Sequence, residues 1–188
     1  MTIDTDHFDR FFVQASRALR DLDIDVVAAL ALELQAVRER EGRVFVLGNG
    51  GSAANASHFV NDLRKVLAIE AYAPTDAVSE LTARANDYGY HTVFRAYLQV
   101  SRLGPRDLVI VLSGSGESEN LTEAVSYAVN NGARTAAVLG KRGSTVGACV
   151  DVPLVVPTTE HWMEISETLQ QLVWHAIVTH PQMKKKNG

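Results

Sequence analysis

Two imidazoles and two carboxylates of this sequence have the spacing of side chains that share a helix face. His58 and Asp62 are four residues apart, and Glu167 and His175 are eight apart, each pair within a predicted helix. Eight residues make about two turns, so Glu167 and His175 share a side of their helix with an offset of roughly 80°. These groups are typical Zn²⁺ ligands and also general acids and bases. We predict a metal or acid–base site, the alternative being a structural or surface role for each histidine.

A glycine-rich turn at 48–52 follows a short apolar segment and precedes a predicted helix. Glycines let backbone N–H groups approach an anion closely, and the N-terminus of the next helix adds partial positive charge. The turn lacks the lysine of a Walker A loop, and Ala53 occupies the third glycine position of a dinucleotide fingerprint. It predicts a substrate contact, the alternative being a tight turn that only permits helix–sheet packing.

A second small-residue turn, SGSGES at 113–118, also joins an apolar segment to a predicted helix. Its three hydroxyls and free N–H groups can hold a phosphate through neutral donors. The alternative is that Ser115 or Ser118 only caps the helix. The polar segment NDYG at 86–89 interrupts a helical stretch and can reach a sugar hydroxyl, the alternative being an Asx-type turn.

The elements that must position these residues alternate between short apolar strands and helices. The N-terminal region, at about 5–41, is predicted to form helices that break near Asp23 and Asp25. Strands are predicted at 43–47, 69–73, 108–112, 135–139 and 152–156. The helices among and after these strands are predicted at 53–67, 76–102, 121–131 and 160–180. The order predicts an α/β fold, a three-layer αβα sandwich with a parallel, roughly five-stranded sheet. Ligands of such sheets bind beyond the carboxyl ends of the strands, where both turns fall.

Length and composition narrow the class of protein. The 188 residues carry a formal net charge of −4, which does not favour nucleic acid, and the basic run 184–186 is expected to be a solvated tail. The single cysteine excludes an internal disulfide and suits a reducing compartment. No stretch approaches the roughly 18 apolar residues that span a bilayer, and the first 20 residues do not resemble a secretory signal. We expect one cytoplasmic domain over 1–188, with N-terminal helices at 5–41, a core at 42–180 and a tail at 181–188.

Four stretches resemble the sugar isomerase (SIS) domain and, within it, the phosphoheptose isomerases. They are GNGGSAANASHFVNDL at 48–63, LTARANDYGYHTVF at 81–94, VLSGSGES at 111–118 and ETLQQLVWH at 167–175. The resemblance covers about residues 5–180, and its first two motifs together are specific to this branch. It implies a flavodoxin-like SIS domain.

The resemblance also implies roles for individual residues. The expected substrate-binding residues are Asn49, Gly50, Gly51, Ser52, Asn86, Asp87, Ser113, Gly114, Ser115, Ser118 and Glu167. His58, Asp62, Glu167 and His175 fall where the family places its Zn²⁺ ligands, one ion per subunit, and Asp62 and His175 would form the acid–base pair. The family assembles as homotetramers with active sites at subunit interfaces, which agrees with the largely apolar predicted helix at 26–41.

The implied reaction is an aldose–ketose isomerisation through a cis-enediol, with D-sedoheptulose 7-phosphate converted to D-glycero-D-manno-heptose 7-phosphate. Three departures keep other substrates open, because the family usually has Glu at Asp62, often has Gln at Glu167 and reads STSGNS at 113–118. The alternatives are an isomerase for another ketose phosphate, such as an octulose phosphate, and a non-catalytic sugar-phosphate sensor or assembly factor.

Overall fold

Five short apolar segments form one parallel sheet in the computed structural model, which describes residues 3–158 and 163–184. The strands are β1 (Arg43–Gly48), β2 (Glu70–Tyr72), β3 (Leu108–Ser113), β4 (Arg134–Leu139) and β5 (Val152–Val155). Every residue of β3 is buried, as its continuous apolar run predicts for a strand covered on both faces.

Helices connect the strands and cover the sheet. They are α1 (Asp6–Arg20), α2 (Ile24–Glu39), α3 (Gly51–Leu67), α4 (Val78–Tyr88), α5 (Val93–Val100), α6 (Glu119–Asn130), α7 (Thr145–Cys149) and α8 (Met163–Thr179). Among the described residues, none of these helices has the length and apolar character needed to cross a membrane.

The alternation of side chains along each strand divides the core into two layers. Val44 and Val46 of β1 pack in a cluster with residues of α2, α3 and α8. Phe45 and Leu47 of the same strand pack on the opposite face, in a cluster with residues of α5, α6 and α7. The result is the predicted three-layer αβα sandwich, and the fold class is confirmed.

The strand order β2-β1-β3-β4-β5 brings the two small-residue turns together. Gly48 at the end of β1 is in register with Leu112 near the end of β3. The chain runs outward in opposite directions from this strand pair, and the crevice at such a switch point is where doubly wound sheets bind ligands. The turns after β1 and β3 therefore form adjacent walls of one crevice.

Two local predictions are corrected, and one short helix was missed. The second helix begins at Ile24 rather than 26, because the Asp23 carboxylate accepts hydrogen bonds from the N–H groups of Asp25 and Val26 and caps it. The residues Asn86 and Asp87 do not interrupt a helix but lie in the last turn of α4, which ends before Gly89. The short helix α7 was not predicted, and residues 160–162 of the expected last helix lie outside the described residues.

Candidate active site

The glycine turn leads from β1 into α3 through a backbone conformation that only glycine adopts readily. Gly50 has φ +56°. A Cβ atom at Gly48 would lie 2.6 Å from the Ser52 carbonyl oxygen, so the chain also folds back too closely for a side chain there. This geometry brings Asn49, Gly50 and Ser52 to the wall of the crevice.

Two side chains hold Asn49 in place, and no local sequence pattern identified either of them. Its side-chain amide exchanges two hydrogen bonds of 3.0 Å with the amide of Asn120, which is buried on α6. The Tyr90 hydroxyl donates a further hydrogen bond of 2.7 Å to Asn49 Oδ1. These contacts orient Asn49 from the opposite side of the crevice.

The serine turn after β3 is closed by its own hydroxyls. The Gly116 N–H donates to Ser113 Oγ at 2.9 Å, and the Glu117 N–H donates to Ser115 Oγ at 3.3 Å. Ser118 occupies the N-cap position of α6 but makes no side-chain capping bond there, so the capping alternative does not hold for it. Ser118 instead lines the cavity between the two turns.

Glu117 ties the serine turn to the loop after β4. Its carboxylate accepts hydrogen bonds from the Thr145 hydroxyl at 2.6 Å and the Thr145 N–H at 3.3 Å, and the Lys141 ammonium lies 3.8 Å away. The hydrogen bond from the Thr145 hydroxyl is the main cause of the lowered pKa of the Glu117 carboxyl. Glu117 is therefore a carboxylate at neutral pH.

A cavity of about 210 Å³ opens between the two turns, and we call it the serine-turn cavity. Its lining residues are Asn49, Gly50, Ser52, Leu112, Ser113, Gly114, Ser115, Ser118, Met163 and Glu167. The Glu167 carboxylate lies directly against Gly51, where a Cβ atom would overlap it. Most of the predicted substrate-binding residues thus line one cavity.

His58, Asp62 and His175 converge between α3 and α8. Asp62 Oδ2 lies 3.7 Å from His58 Nε2 and 3.5 Å from His175 Nε2, and the two imidazole centroids are 5.1 Å apart. One ligand atom from each residue lies within 4.8 Å of the other two. We call these three residues the imidazole–carboxylate cluster.

The cluster fits a Zn²⁺ ion by the chemistry of its donors. Two imidazole nitrogens and one carboxylate oxygen are a known ligand set for catalytic zinc, which leaves a further position open for water or substrate. Glu167, the fourth predicted ligand, is not part of this cluster in the described residues. Its carboxylate is two helical turns nearer the N-terminus of α8, against the glycine turn.

The nearest side-chain neighbour that the sequence did not predict is Gln171. Its Nε2 lies 3.1 Å from His58 Nδ1. A partner on the outer nitrogen of a ligating histidine fixes the ring orientation and the tautomer. Gln171 lies on the α8 face between Glu167 and His175, so the only sequence signal for it was its four-residue spacing from both.

Asn86 and Asp87 do not join the other predicted substrate residues. Both are exposed on α4, and the Asn86 side-chain amide donates to Asp87 Oδ1 at 2.9 Å. Neither lines the serine-turn cavity. In the described part of this chain, the side chains of Asn86 and Asp87 bond to each other.

Fold and site together define a doubly wound α/β domain with a cavity at its switch point and an imidazole–carboxylate cluster on two of the helices that border it. Residues 7–140 match the family model of the SIS domain. The phosphoheptose isomerase of Syntrophotalea carbinolica is 40% identical over 141 residues, 71% of this chain and 69% of the relative. That of Solidesulfovibrio magneticus is 35% identical over 156 residues, 79% of this chain and 76% of the relative.

Solved structures agree with the sequence relatives. A phosphoheptose isomerase from Francisella tularensis superposes with a TM-score of 0.85 at 26% identity, covering 94% of this chain and 97% of that one. Another from Neisseria gonorrhoeae superposes with a TM-score of 0.82 at 28% identity, covering 93% and 94%. The chain belongs to the SIS domain family and, within it, to the phosphoheptose isomerases, a family of sugar-phosphate isomerases of the aldose–ketose type.

Proposed function

We propose that this protein converts D-sedoheptulose 7-phosphate to D-glycero-D-manno-heptose 7-phosphate. The names of its relatives support the heptose substrate. The observation that carries the proposal is the convergence of His58, Asp62 and His175 on the helices that also border the serine-turn cavity. A sensor or assembly factor has no need for such a cluster, and an isomerase requires one.

The reaction moves one proton between neighbouring carbons. A base removes a proton from C1 of the ketose, the C2 carbonyl oxygen is protonated, and the cis-enediol forms. Returning a proton to C2 while O1 loses its proton completes the aldose. We assign the acid–base work to Asp62 and His175, whose reacting atoms lie 3.5 Å apart and are therefore close enough to share a proton through a substrate oxygen or a water.

His58, Asp62 and His175 would hold the Zn²⁺ ion, with one ion per subunit. A nitrogen of His175 that ligates the ion has no lone pair for a proton, so the ligand role and the acid–base role of this nitrogen compete. When bound, the ion supplies Lewis-acid polarisation of the carbonyl group. The side chain of Asp62 is only 14% exposed, because its carboxylate faces the two imidazoles between α3 and α8.

The two turns would bind the substrate and orient it. Ser113, Ser115 and Ser118 supply neutral donors near the phosphate, and the glycine turn with Asn49 faces the sugar chain. His58 is seven residues beyond Gly51 on α3, which corresponds to about 10 Å along the helix. We propose that an extended heptulose phosphate covers this distance, and that Asn86 and Asp87 contact the sugar chain in the assembled protein.

We further propose a cytoplasmic homotetramer with active sites at subunit interfaces. The exposed apolar residues of α1 and α2 support the assembly, since Phe12 is 64% exposed, Ile24 68% and Leu32 64%. A neighbouring subunit on this surface would also cover the open side of the site.

The test of the reaction is solvent exchange at carbon. Incubation with D-sedoheptulose 7-phosphate in D₂O should give the aldose with deuterium at C2, detected by NMR. Asp62→Asn should lower the turnover rate at least about 100-fold, because a positioned general base contributes that much. The matched control is Asp21→Asn, an exposed aspartate outside the site, which should keep wild-type turnover.

Two outcomes would contradict the proposal. Full turnover by Asp62→Asn would remove Asp62 as a catalytic residue. Binding of the ketose phosphate by the wild-type protein without any exchange or product would instead favour the sensor alternative.

A further inference from the structure

The two imidazoles of the imidazole–carboxylate cluster are not held in the same way. His58 has a polar neighbour on each ring nitrogen, with Nε2 3.7 Å from Asp62 Oδ2 and Nδ1 3.1 Å from Gln171 Nε2. His175 has the Asp62 carboxylate 3.5 Å from its Nε2, and no described residue forms a hydrogen bond with its Nδ1. Since the His58 side chain is 43% exposed, burial alone does not fix its ring, and Gln171 supplies the second restraint.

The contact with Gln171 determines which nitrogen of His58 carries the proton. An amide NH₂ group only donates hydrogen bonds, and a neutral imidazole has one N–H and one bare nitrogen. Nδ1 of His58 therefore accepts from Gln171, and the proton lies on Nε2, which faces Asp62. A ring nitrogen ligates a metal ion through its lone pair. In this arrangement Nε2 carries a proton and is not yet a ligand.

The side chain of Gln171 is able to serve the other tautomer of His58 as well. The oxygen and the NH₂ group of an amide have nearly the same size, so a half-turn about the last side-chain bond exchanges them in place. Oε1 then accepts the proton of Nδ1, which leaves Nε2 bare. The Gln171 side chain makes no other hydrogen bond in the described part of the chain, so the half-turn breaks no further bond.

The adjacent glutamine, Gln170, shows the contrast. Its side chain is fully buried, and its Oε1 accepts hydrogen bonds from Ser52 Oγ and Asn55 Nδ2, both at 3.2 Å. A half-turn of this amide would break both bonds, which join α8 to the first turns of α3. Gln170 therefore holds the two helices together, whereas the half-buried Gln171 is left to follow the state of His58.

We propose that Gln171 is a positioning residue that couples the orientation of His58 to metal binding. Its amide holds the ring through Nδ1 in the metal-free protein and turns to accept the Nδ1 proton when Nε2 becomes a ligand. The inference rests on the ligand role proposed for His58. It makes His58 the fixed ligand and leaves His175, whose Nδ1 has no such partner among the described residues, as the imidazole that is able to move between ligation and proton transfer.

The test measures the Zn²⁺ affinity of the full-length protein by competition with a chromophoric chelator. Gln171→Met keeps the length of the side chain and removes the acceptor, so its Kd for Zn²⁺ should rise about 10–100-fold, the usual cost of losing such a partner. Gln171→Glu keeps an acceptor oxygen and should not weaken binding by more than a few-fold. The matched control is Gln99→Met, the same substitution at an exposed residue of α5 on the other face of the sheet, and it should leave the Kd unchanged.

A spectroscopic signature separates positioning of His58 from general support of the fold. In wild-type protein that is isotope-labelled in its histidines and loaded with Zn²⁺, the Nδ1 proton of His58 should give a resolved NMR signal, because a hydrogen bond to Oε1 slows its exchange with water. Gln171→Met should lose this signal while keeping the melting temperature of wild type. Gln171→Glu should retain the signal.

Each of three results would overturn the inference. They are equal Zn²⁺ affinity in Gln171→Met and wild type, an equal loss of affinity in Gln171→Met and Gln171→Glu, and an Nδ1 signal that survives in Gln171→Met. Weakened Zn²⁺ binding by Gln171→Met together with no isomerisation by wild type supports the positioning role and refutes the proposed reaction instead. Turnover by a wild-type protein that binds no Zn²⁺ refutes the positioning role and leaves the reaction intact.

Discussion

The carboxylate of Asp62 lies close to both imidazoles of the site. Its Oδ2 lies 3.7 Å from His58 Nε2 and 3.5 Å from His175 Nε2, and only 14% of its side chain is exposed. The aspartate reaches this position because α3 and α8 pack side by side. Asp62 therefore has the position that its proposed role as a ligand requires.

Glu167 adds a negative charge to the site, at a different place from Asp62. Where the family often has glutamine, its carboxylate lies against Gly51 and lines the serine-turn cavity. A carboxylate there disfavours an anionic group of the ligand at close range. We therefore expect neutral sugar hydroxyl groups, rather than the phosphate, beside Glu167.

Metal binding at the imidazole–carboxylate cluster can be followed through Trp174. This buried indole has its ring centroid 5.9 Å from that of His58 and 5.7 Å from that of His175. Co²⁺, used as a spectroscopic substitute for Zn²⁺, should quench its fluorescence with saturation near one ion per chain. Trp162→Phe removes the only other tryptophan and isolates the signal. His58→Ala should abolish saturable quenching, and unchanged quenching in that variant would exclude the site.

At the scale of the elements, the N-terminal cap of α2 sets where this helix begins. Asp23 Oδ1 accepts hydrogen bonds from the N–H groups of Asp25 at 3.1 Å and Val26 at 3.2 Å. These bonds satisfy donors that have no partner within the helix. The start of α2 matters for the core because Leu30, Leu34 and Val37 are buried on its inner face.

Asp23→Ala should destabilise the protein by about 1 kcal/mol, the usual cost of losing an N-cap. For a chain of this length, thermal unfolding should then shift to lower temperature by about 2–4 °C. Asp21→Ala is the control, since Asp21 is an exposed aspartate next to the same loop and makes no capping bond to α2. Equal melting temperatures for the two variants would show that the cap contributes nothing.

At the scale of the whole molecule, seven of the fourteen large apolar side chains that are exposed in the described part of the chain lie within residues 3–32. Phe12, Ile24 and Leu32 are each more than 60% exposed. A cavity of about 430 Å³ with many apolar lining residues lies between α2 and the end of α8. Exposed apolar surface of this kind marks a contact with another protein surface, and the proposed tetramer supplies a second copy of the chain.

Leu32→Lys should therefore lower the molar mass measured by light scattering after size-exclusion chromatography. A lysine ammonium cannot be buried in an apolar contact without a partner, so the interface should open. The control is Val129→Lys, another exposed apolar residue, 49% exposed on α6 away from α1 and α2. A mass for Leu32→Lys equal to that of wild type would contradict an interface at α2.

The sequence by itself determined the strands, most of the helices, and the chemistry of the two turns. These features depend on patterns within one or two turns of chain, such as the apolar run of β3 and the four-residue spacing of His58 and Asp62. The parallel sheet followed from the alternation of elements, because crossover connections permit few other arrangements.

Only the tertiary structure decided which of these groups meet. His175 reaches Asp62 and Gln171 reaches His58 because α8 packs on α3, although the two members of each pair are 113 residues apart in the sequence. Glu167 lies two helical turns from His175 along α8, and its carboxylate therefore meets Gly51 rather than the cluster. Local spacing specifies the face of one helix, whereas the partner of that face depends on packing between elements that are distant in the chain.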